Sequence, residues 1–232
     1  MTGRDEKFIA HGQSEEIMST RKHVVITGTG RSGTTFLVEL LTRLGFDTGY
    51  DLELMRAKIH KVARAGLEHD IRRDNCPYIV KAPEFCEYAA EVVQRADIQI
   101  EHIFLPMRDL YSAAESRRFV EASILSGSSF LDRMKFAETR KELIGGLVGT
   151  TSIDPGQQEE VLLNRIYALM LAVSDTAIPV TLMRYPRIVR DCPYLFDKLK
   201  PVLGDTGYES FAAEFSSAAR PELVHRFRET DG

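Results

Sequence analysis

Residues 28–35 combine glycines, hydroxyl side chains and one arginine in a single short stretch. The hydroxyl residues are Ser32, Thr34 and Thr35, and the arginine is Arg31. Glycine lets a loop curl closely around a ligand because it has no Cβ, and the bare N–H groups of such a loop attract anions. Hydroxyl donors and a guanidinium add to this attraction. The stretch therefore predicts a loop that holds a phosphate or a sulfate.

The residues on either side predict a strand before this loop and a helix after it. Residues 24–27 are all β-branched, which favours a short buried strand. From Thr34 onward, apolar residues recur at helical spacing, at Phe36, Leu37, Leu40, Leu41 and Leu44. The helix N-terminus would then also face the anion. The alternative is a tight turn that only starts a helix.

Three known loop patterns compete for this stretch. In G-x-x-x-x-G-K-[ST], which binds nucleoside triphosphates, Gly28 and Gly33 fit, but Thr34 stands where the lysine belongs. In the dinucleotide pattern G-x-G-x-x-G, Gly30 fits as well. That pattern also requires a second apolar strand that ends in an acidic residue, and only a very short apolar segment is present here. The third pattern belongs to the sulfotransferases.

The segment Gly30-Arg-Ser-Gly-Thr-Thr-Phe-Leu37 resembles the P-R-S-G-T-T-x-L signature of the sulfotransferase superfamily, with Gly30 in the proline position. The similarity is closest to carbohydrate- and tyrosylprotein-type members. In that family the loop holds the 5′-phosphosulfate of 3′-phosphoadenosine 5′-phosphosulfate (PAPS). The resemblance implies that the PAPS-binding residues here are Gly30, Arg31, Ser32, Gly33, Thr34, Thr35 and Phe36, with Arg31 also catalytic.

The strand predicted over residues 99–107 ends in a cation, because Arg108 follows it. In nucleotide-triphosphate hydrolases such a strand often ends in an aspartate that helps to hold Mg²⁺. A guanidinium there attracts an anion instead, and Ser116, eight residues later, can bind the same phosphate. Arg108 and Ser116 also resemble the family's 3′-phosphate site residue by residue. We expect Asp109 to cap the helix that follows.

Two further stretches resemble the family. Residues 78–83 resemble its apolar strand ending in K-x-P, which implies that Lys81 lies near the transferred group and is catalytic. Residues 182–189 resemble the stretch that places a tyrosine near adenine, here Tyr185, although Pro186 and Arg187 replace the family's acidic pair. The family's C-terminal cofactor loop is not recognisable, and its candidate replacements are Arg220, Arg226 and Arg228.

Strands and helices alternate along the chain, which predicts an α/β fold with a mainly parallel sheet and helices on both faces. The resemblance implies a three-layer domain of the P-loop type. We expect strands over residues 24–27, 78–82, 99–107 and 178–184, and helices over 34–44, 51–67, 84–96, 109–122, 157–176, 186–202 and 208–219. Residues 1–21 and 220–232 are predicted to be polar tails around one domain, and 117–156 to be an insertion that shapes the acceptor site.

Basic residues are predicted at three strand ends: Lys81, Arg108 and Arg184. Ligands of parallel sheets bind at the C-terminal ends of the strands. We therefore expect these cations to converge with Arg31 on one edge of the sheet. Ordinary surface charge is the alternative.

The composition excludes several classes of protein. The net charge of −4 over 232 residues argues against a general nucleic-acid binder. The only cysteines, Cys76, Cys86 and Cys192, form no metal or disulfide pattern, which is typical of a cytoplasmic protein with reduced thiols. No apolar run predicts a signal peptide or a membrane span.

The expected function is in-line transfer of a sulfuryl group from PAPS to a hydroxyl or amine of a carbohydrate or small-molecule acceptor, with no metal required. A P-loop phosphotransferase similar to the nucleotide and small-molecule kinases remains an alternative, although it would need Lys at position 34 and a carboxylate for Mg²⁺. A non-catalytic nucleotide-binding protein is the other alternative.

In the expected reaction, the acceptor must also lose a proton to a base. In family members with the R-S-G-T-T loop this base is a carboxylate shortly after the loop helix, which points to Asp51, with Glu53 and then Glu84 in reserve.

Overall fold

The structure is a computed structural model, and it describes residues 20–28, 30–59, 66–126 and 155–224. The expectations for Arg226 and Arg228, for most of the tail at 1–21, and for most of the insertion at 117–156 concern residues outside these ranges. The part of the C-terminal tail that is described, residues 220–224, contains one short 3₁₀ helix.

Four strands form one parallel sheet in the described part of the chain: β1 (Arg21–Ile26), β2 (Ile79–Lys81), β3 (Ile98–Met107) and β4 (Val180–Arg184). Their order across the sheet is β2-β1-β3-β4, and every neighbouring pair is parallel. The predicted α/β class with a parallel sheet is confirmed. The chain passes from β1 to β2 on one side and then crosses back past β1 to β3 on the other side. The strand order therefore switches direction between β1 and β3, where parallel sheets form their ligand crevices.

Seven α-helices accompany the sheet within the described ranges. They are α1 (Thr34–Arg43), α2 (Leu52–Lys58), α3 (Phe85–Val92), α4 (Leu110–Ser126), α5 (Pro155–Val173), α6 (Cys192–Leu203) and α7 (Tyr208–Ala218). Two 3₁₀ helices span Arg187–Val189 and Pro221–Leu223.

Alternation along β1 divides the core between the two faces of the sheet. Val24 and Ile26 pack into one cluster with α1, α6 and α7, whereas Val25 packs into a second cluster with α3 and α5. Successive strand residues point to opposite faces, so a strand buried on both sides is apolar at every position. The three layers of the predicted domain are present.

Two predicted helices differ most from expectation. The helix expected over 51–67 is confirmed only over Leu52–Lys58, because Ile59 already has extended backbone angles and residues 60–65 are outside the described ranges. The helix expected over 186–202 is divided into a 3₁₀ turn and α6. The reason is a new N-cap: the Asp191 carboxylate accepts the Tyr194 N–H at 3.0 Å, which starts α6 at Cys192.

No described helix combines the length and the apolar composition that crossing a membrane would require.

Candidate functional site

A cavity opens where β1, β2 and β3 end, and we call it the loop cavity. Its wall is formed by the glycine loop, by the ends of β2 and β3, and by residues after β4 and α7. The residues that line it are Gly30, Arg31, Gly33, Thr34, Thr35, Phe36, Glu39, Glu68, Lys81, Pro83, Arg108, Ser116, Tyr185, Val189, Ala218, Arg220, Leu223 and Val224. These include four cationic and two acidic side chains, so the described wall favours an anionic ligand.

Backbone N–H donors of the glycine loop lie at the start of α1. The N–H groups of residues 32–36 have no hydrogen-bond acceptor among the described residues. Gly33 forms the cap of α1 with a φ of 88°, and a Cβ there would lie 3.0 Å from the Tyr185 ring and 2.9 Å from the Ile188 side chain. The close approach and the left-handed backbone explain why glycine occupies this position. The predicted glycine loop and the helix that follows it are therefore present.

Arg31, Arg108 and Ser116 lie together on one side of the loop. The Arg31 Nε donates to the Ser116 hydroxyl at 3.4 Å, and Arg108 Nη1 donates to the Arg31 carbonyl at 3.0 Å. Arg108 also lies over the Tyr185 ring, 5.1 Å from its centroid. Burial lowers the pKa of Arg108 from its usual value, and an arginine stays protonated nonetheless. This half-buried cationic cluster is suited to a phosphate.

Lys81 is the most deeply buried cation of the site, with 2 % of its residue surface exposed. Its ammonium donates to Thr35 Oγ1 at 2.9 Å, to the Gly66 carbonyl at 2.5 Å and to Glu68 Oε1 at 2.7 Å. Desolvation lowers the pKa of Lys81, and the neighbouring Glu68 carboxylate opposes that shift. Because the Thr35 oxygen accepts from Lys81, its own O–H proton is available to donate to a ligand.

Glu68 is a residue of the site that the sequence did not point to. It lies in the loop before β2, forms an ion pair with buried Lys81, and keeps 32 % of its side chain exposed. Its position in a charged segment without apolar periodicity gave no signal. Its ion pair with Lys81, which is thirteen residues later in the chain, depends on the tertiary fold.

Several predicted site residues lie elsewhere. Ser32 is fully buried with its hydroxyl turned toward Gly28, so it supports the loop from beneath, and it does not line the loop cavity. Arg184 ends β4 at the expected edge, but it is exposed and outside the lining, so only three of the four expected cations converge. Arg220 lines the cavity as the fourth cation.

The candidate bases near α2 lie away from the cavity. The Asp51 carboxylate accepts the Leu54 N–H at 2.7 Å and caps α2, and Glu53 is exposed in the first turn of that helix. Neither lines the loop cavity. Asp109 caps α4 as predicted, because it accepts the Ser112 N–H at 2.8 Å.

A second cavity, which we call the side cavity, shares Glu68 and Pro83 with the loop cavity. It lies along the segments before and after β2, and it is lined by Asp47, Gly49, Glu68, His69, Asp70, Arg72, Arg73, Asn75, Cys76, Pro77, Ala82, Pro83, Glu84 and Tyr88. Glu84, the third candidate base, therefore lies in the side cavity.

Within the described ranges, no three histidine, cysteine, aspartate or glutamate side chains come together as a metal-binding group. Comparisons of the chain with family models, with curated proteins and with solved structures found no match.

Proposed function

We propose that this chain is a PAPS-dependent sulfotransferase, which moves a sulfuryl group to a hydroxyl or amine of a small-molecule or carbohydrate acceptor. The observation that carries the proposal is the pairing of two anion-binding groups in one cavity. The first is the set of N–H groups of residues 32–36, which have no acceptor among the described residues, and the second is the cluster of Arg31, Arg108 and Ser116. A donor with anionic groups at both its 5′ and 3′ ends would use both.

The loop would hold the reacting end of the donor. PAPS, when bound, supplies a sulfuryl group attached to a phosphate that leaves. The loop N–H groups and the Thr35 hydroxyl, whose oxygen is already held by Lys81, are fixed donors that can stabilise negative charge as it grows there. Losing one such donor typically lowers the rate by about 10²- to 10³-fold.

Arg108 and Ser116 would hold the 3′-phosphate, which does not react. Arginine can form a forked pair of hydrogen bonds with a phosphate, and a helix hydroxyl can take another oxygen. The Tyr185 ring, held between Gly33 and Arg108, offers a flat surface for the adenine.

Two features make the kinase-like alternative less favourable. Thr34 replaces the lysine that holds the terminal phosphates in nucleotide-triphosphate loops. The carboxylate that follows β3, Asp109, is exposed and caps α4. Both features fit a site that binds its anions with arginine and backbone donors.

The proposal is tested by thermal unfolding with candidate ligands. The product nucleotide, 3′-phosphoadenosine 5′-phosphate (PAP), should raise the Tm in the presence of EDTA. A ligand at 100 times its Kd adds about 2.7 kcal/mol, which corresponds to roughly 5–10 °C for a domain of this size. ATP with Mg²⁺ at the same concentration should raise the Tm much less. An equal shift with ATP, dependent on Mg²⁺, would favour the phosphotransferase.

A further inference from the structure

Glu68 stands where the two cavities meet, and only one of its oxygens is engaged. Oε1 accepts from Lys81 Nζ at 2.7 Å and from the Gly66 N–H at 3.2 Å. Oε2 has no hydrogen-bond partner in the part of the chain that the structure describes. The carboxylate is therefore fixed on one side and able to accept a proton on the other.

One buried ammonium ties this carboxylate to the anion loop. Lys81 Nζ bonds both Glu68 and the Thr35 hydroxyl, and Thr35 belongs to the first turn of α1 in the wall of the loop cavity. A molecule that occupies the side cavity and reaches Glu68 would thus stand beside whatever the loop holds. By contrast, Asp51 lines neither cavity.

The wall of the side cavity limits what could occupy it. Its described residues carry four carboxylates, those of Asp47, Glu68, Asp70 and Glu84, and two guanidinium groups. Burial lowers the pKa of His69 in the same wall, which keeps that imidazole neutral near pH 7. The Tyr88 ring in the described part of the wall is covered by the Arg72 guanidinium, which lies 4.1 Å from the ring centroid.

We propose that the side cavity is the acceptor site, and that Glu68 takes the proton from the hydroxyl of a polar acceptor that is neutral or cationic. This inference rests on the proposed function and adds the acceptor class and the base. Carboxylates accept hydrogen bonds from hydroxyl groups and attract cations. An anionic acceptor would be repelled, and a flat apolar phenol would find little apolar wall to contact.

The step balances as follows for a hydroxyl acceptor. The hydroxyl oxygen forms a bond to sulfur, while the bond between sulfur and the bridging phosphate oxygen breaks and its electron pair leaves with the phosphate. The hydroxyl proton passes to Glu68 Oε2. Lys81, bonded to Oε1, holds the carboxylate in place during the transfer.

The test measures PAP release from PAPS with four acceptors of different charge. Glucose and glucosamine should accelerate PAP release above the rate with water, whereas glucuronate and 2-naphthol should not. If glucuronate or 2-naphthol were the better acceptor, or if neither sugar accelerated release while PAP still raised the Tm, the acceptor assignment would be overturned and the proposed function would stand. If PAP failed to raise the Tm, both would fall.

Variants of Glu68 distinguish a role as the general base from a purely structural role. Glu68→Ala should lower transfer to the sugars by at least about 10²-fold, and added formate should restore part of the transfer rate without restoring the Tm. Glu68→Gln keeps an oxygen for Lys81, so it carries the test if the alanine variant fails to fold. It should bind PAP normally and lose transfer to the same extent. The matched control is Glu209→Gln, an exposed position on α7. Normal transfer by Glu68→Gln would overturn the role of Glu68.

Discussion

Arg31 and Arg108 in the loop cavity contact different groups, and we expect them to have different roles. Arg108 lies over Tyr185 and donates to the Arg31 backbone, so it is fixed before any ligand binds. Arg31 belongs to the loop itself and reaches Ser116 with its side chain. The sequence predicted that both bind anions, and the structure adds that they are adjacent.

Replacing Arg108 should weaken binding of the nucleotide. A hydrogen bond to a charged group is worth about 1.5–3 kcal/mol, so Arg108→Ala should raise the Kd for PAP roughly 10- to 100-fold in calorimetric titrations. Arg108→Lys keeps the positive charge but loses the forked pair of hydrogen bonds, so its Kd for PAP should lie between those of the parent chain and Arg108→Ala. An unchanged Kd in Arg108→Ala would contradict the assigned 3′-phosphate site.

Arg31 should act mainly on the rate. It lies in the loop that would face charge growing in the transition state, and interactions that strengthen there raise kcat. Arg31→Ala should therefore lower kcat by about 10²-fold or more, with a smaller change in KM for PAPS. Steady-state kinetics with a sugar acceptor measure both. A change confined to KM would show that Arg31 only binds.

At the scale of single elements, α2 depends on its cap. The Asp51 carboxylate satisfies the Leu54 N–H, and removal of such a cap typically costs about 1 kcal/mol. Asp51→Ala should lower the Tm, whereas Asp51→Asn, which can cap equally well, should not. Both should keep normal transfer rates. Loss of transfer in both variants, with PAP binding intact, would instead identify Asp51 as the base.

The two histidines of the central strands make stability depend on pH. Burial lowers the pKa of His23 in β1 and of His102 in β3 below the usual 6.5. His23 donates from Nδ1 to the Pro77 carbonyl at 2.7 Å, and its Nε2 has no partner among the described residues. Below about pH 6.5 the unfolded chain takes up these protons more readily than the folded chain, so stability should fall as pH decreases.

The measurement is the free energy of unfolding in urea between about pH 7.5 and pH 5. The double variant His23→Asn, His102→Gln keeps a side-chain amide near each engaged ring nitrogen and removes the titration of these two rings. Its stability should change less over this range than that of the parent chain. An equally steep fall would show that other groups are responsible.

At the scale of the whole molecule, the parts of the fold that depend on local pattern could be predicted. Continuous apolar runs stop at a charged residue, so the end of β4 at Arg184 was predictable to the residue, and the end of β2 at Lys81 to within one residue. The end of β3 before Arg108 was predictable in the same way. Helix ends were harder, because they depend on caps such as Asp191, whose carboxylate has to be placed before its role is visible.

The side cavity could not be predicted, because no single stretch of sequence builds it. Its wall combines the loop after α1, the loop before β2 and the start of α3, which meet only after β2 pairs with β1. The same holds for Glu68 and for the cavity contact of Leu223. Arg220, by contrast, was already a candidate from the sequence, and it lines the loop cavity. A local motif predicts the anion loop, whereas the sheet topology decides which other residues reach it.

The central claim is that one cavity binds two separate anionic groups of one nucleotide. The most direct test compares the Kd of PAP with that of AMP, which lacks only the 3′-phosphate, by titration calorimetry in EDTA. We expect PAP to bind roughly 10- to 100-fold more tightly, and we expect Arg108→Ala to remove most of that difference. Equal affinities for PAP and AMP in the parent chain would contradict the account.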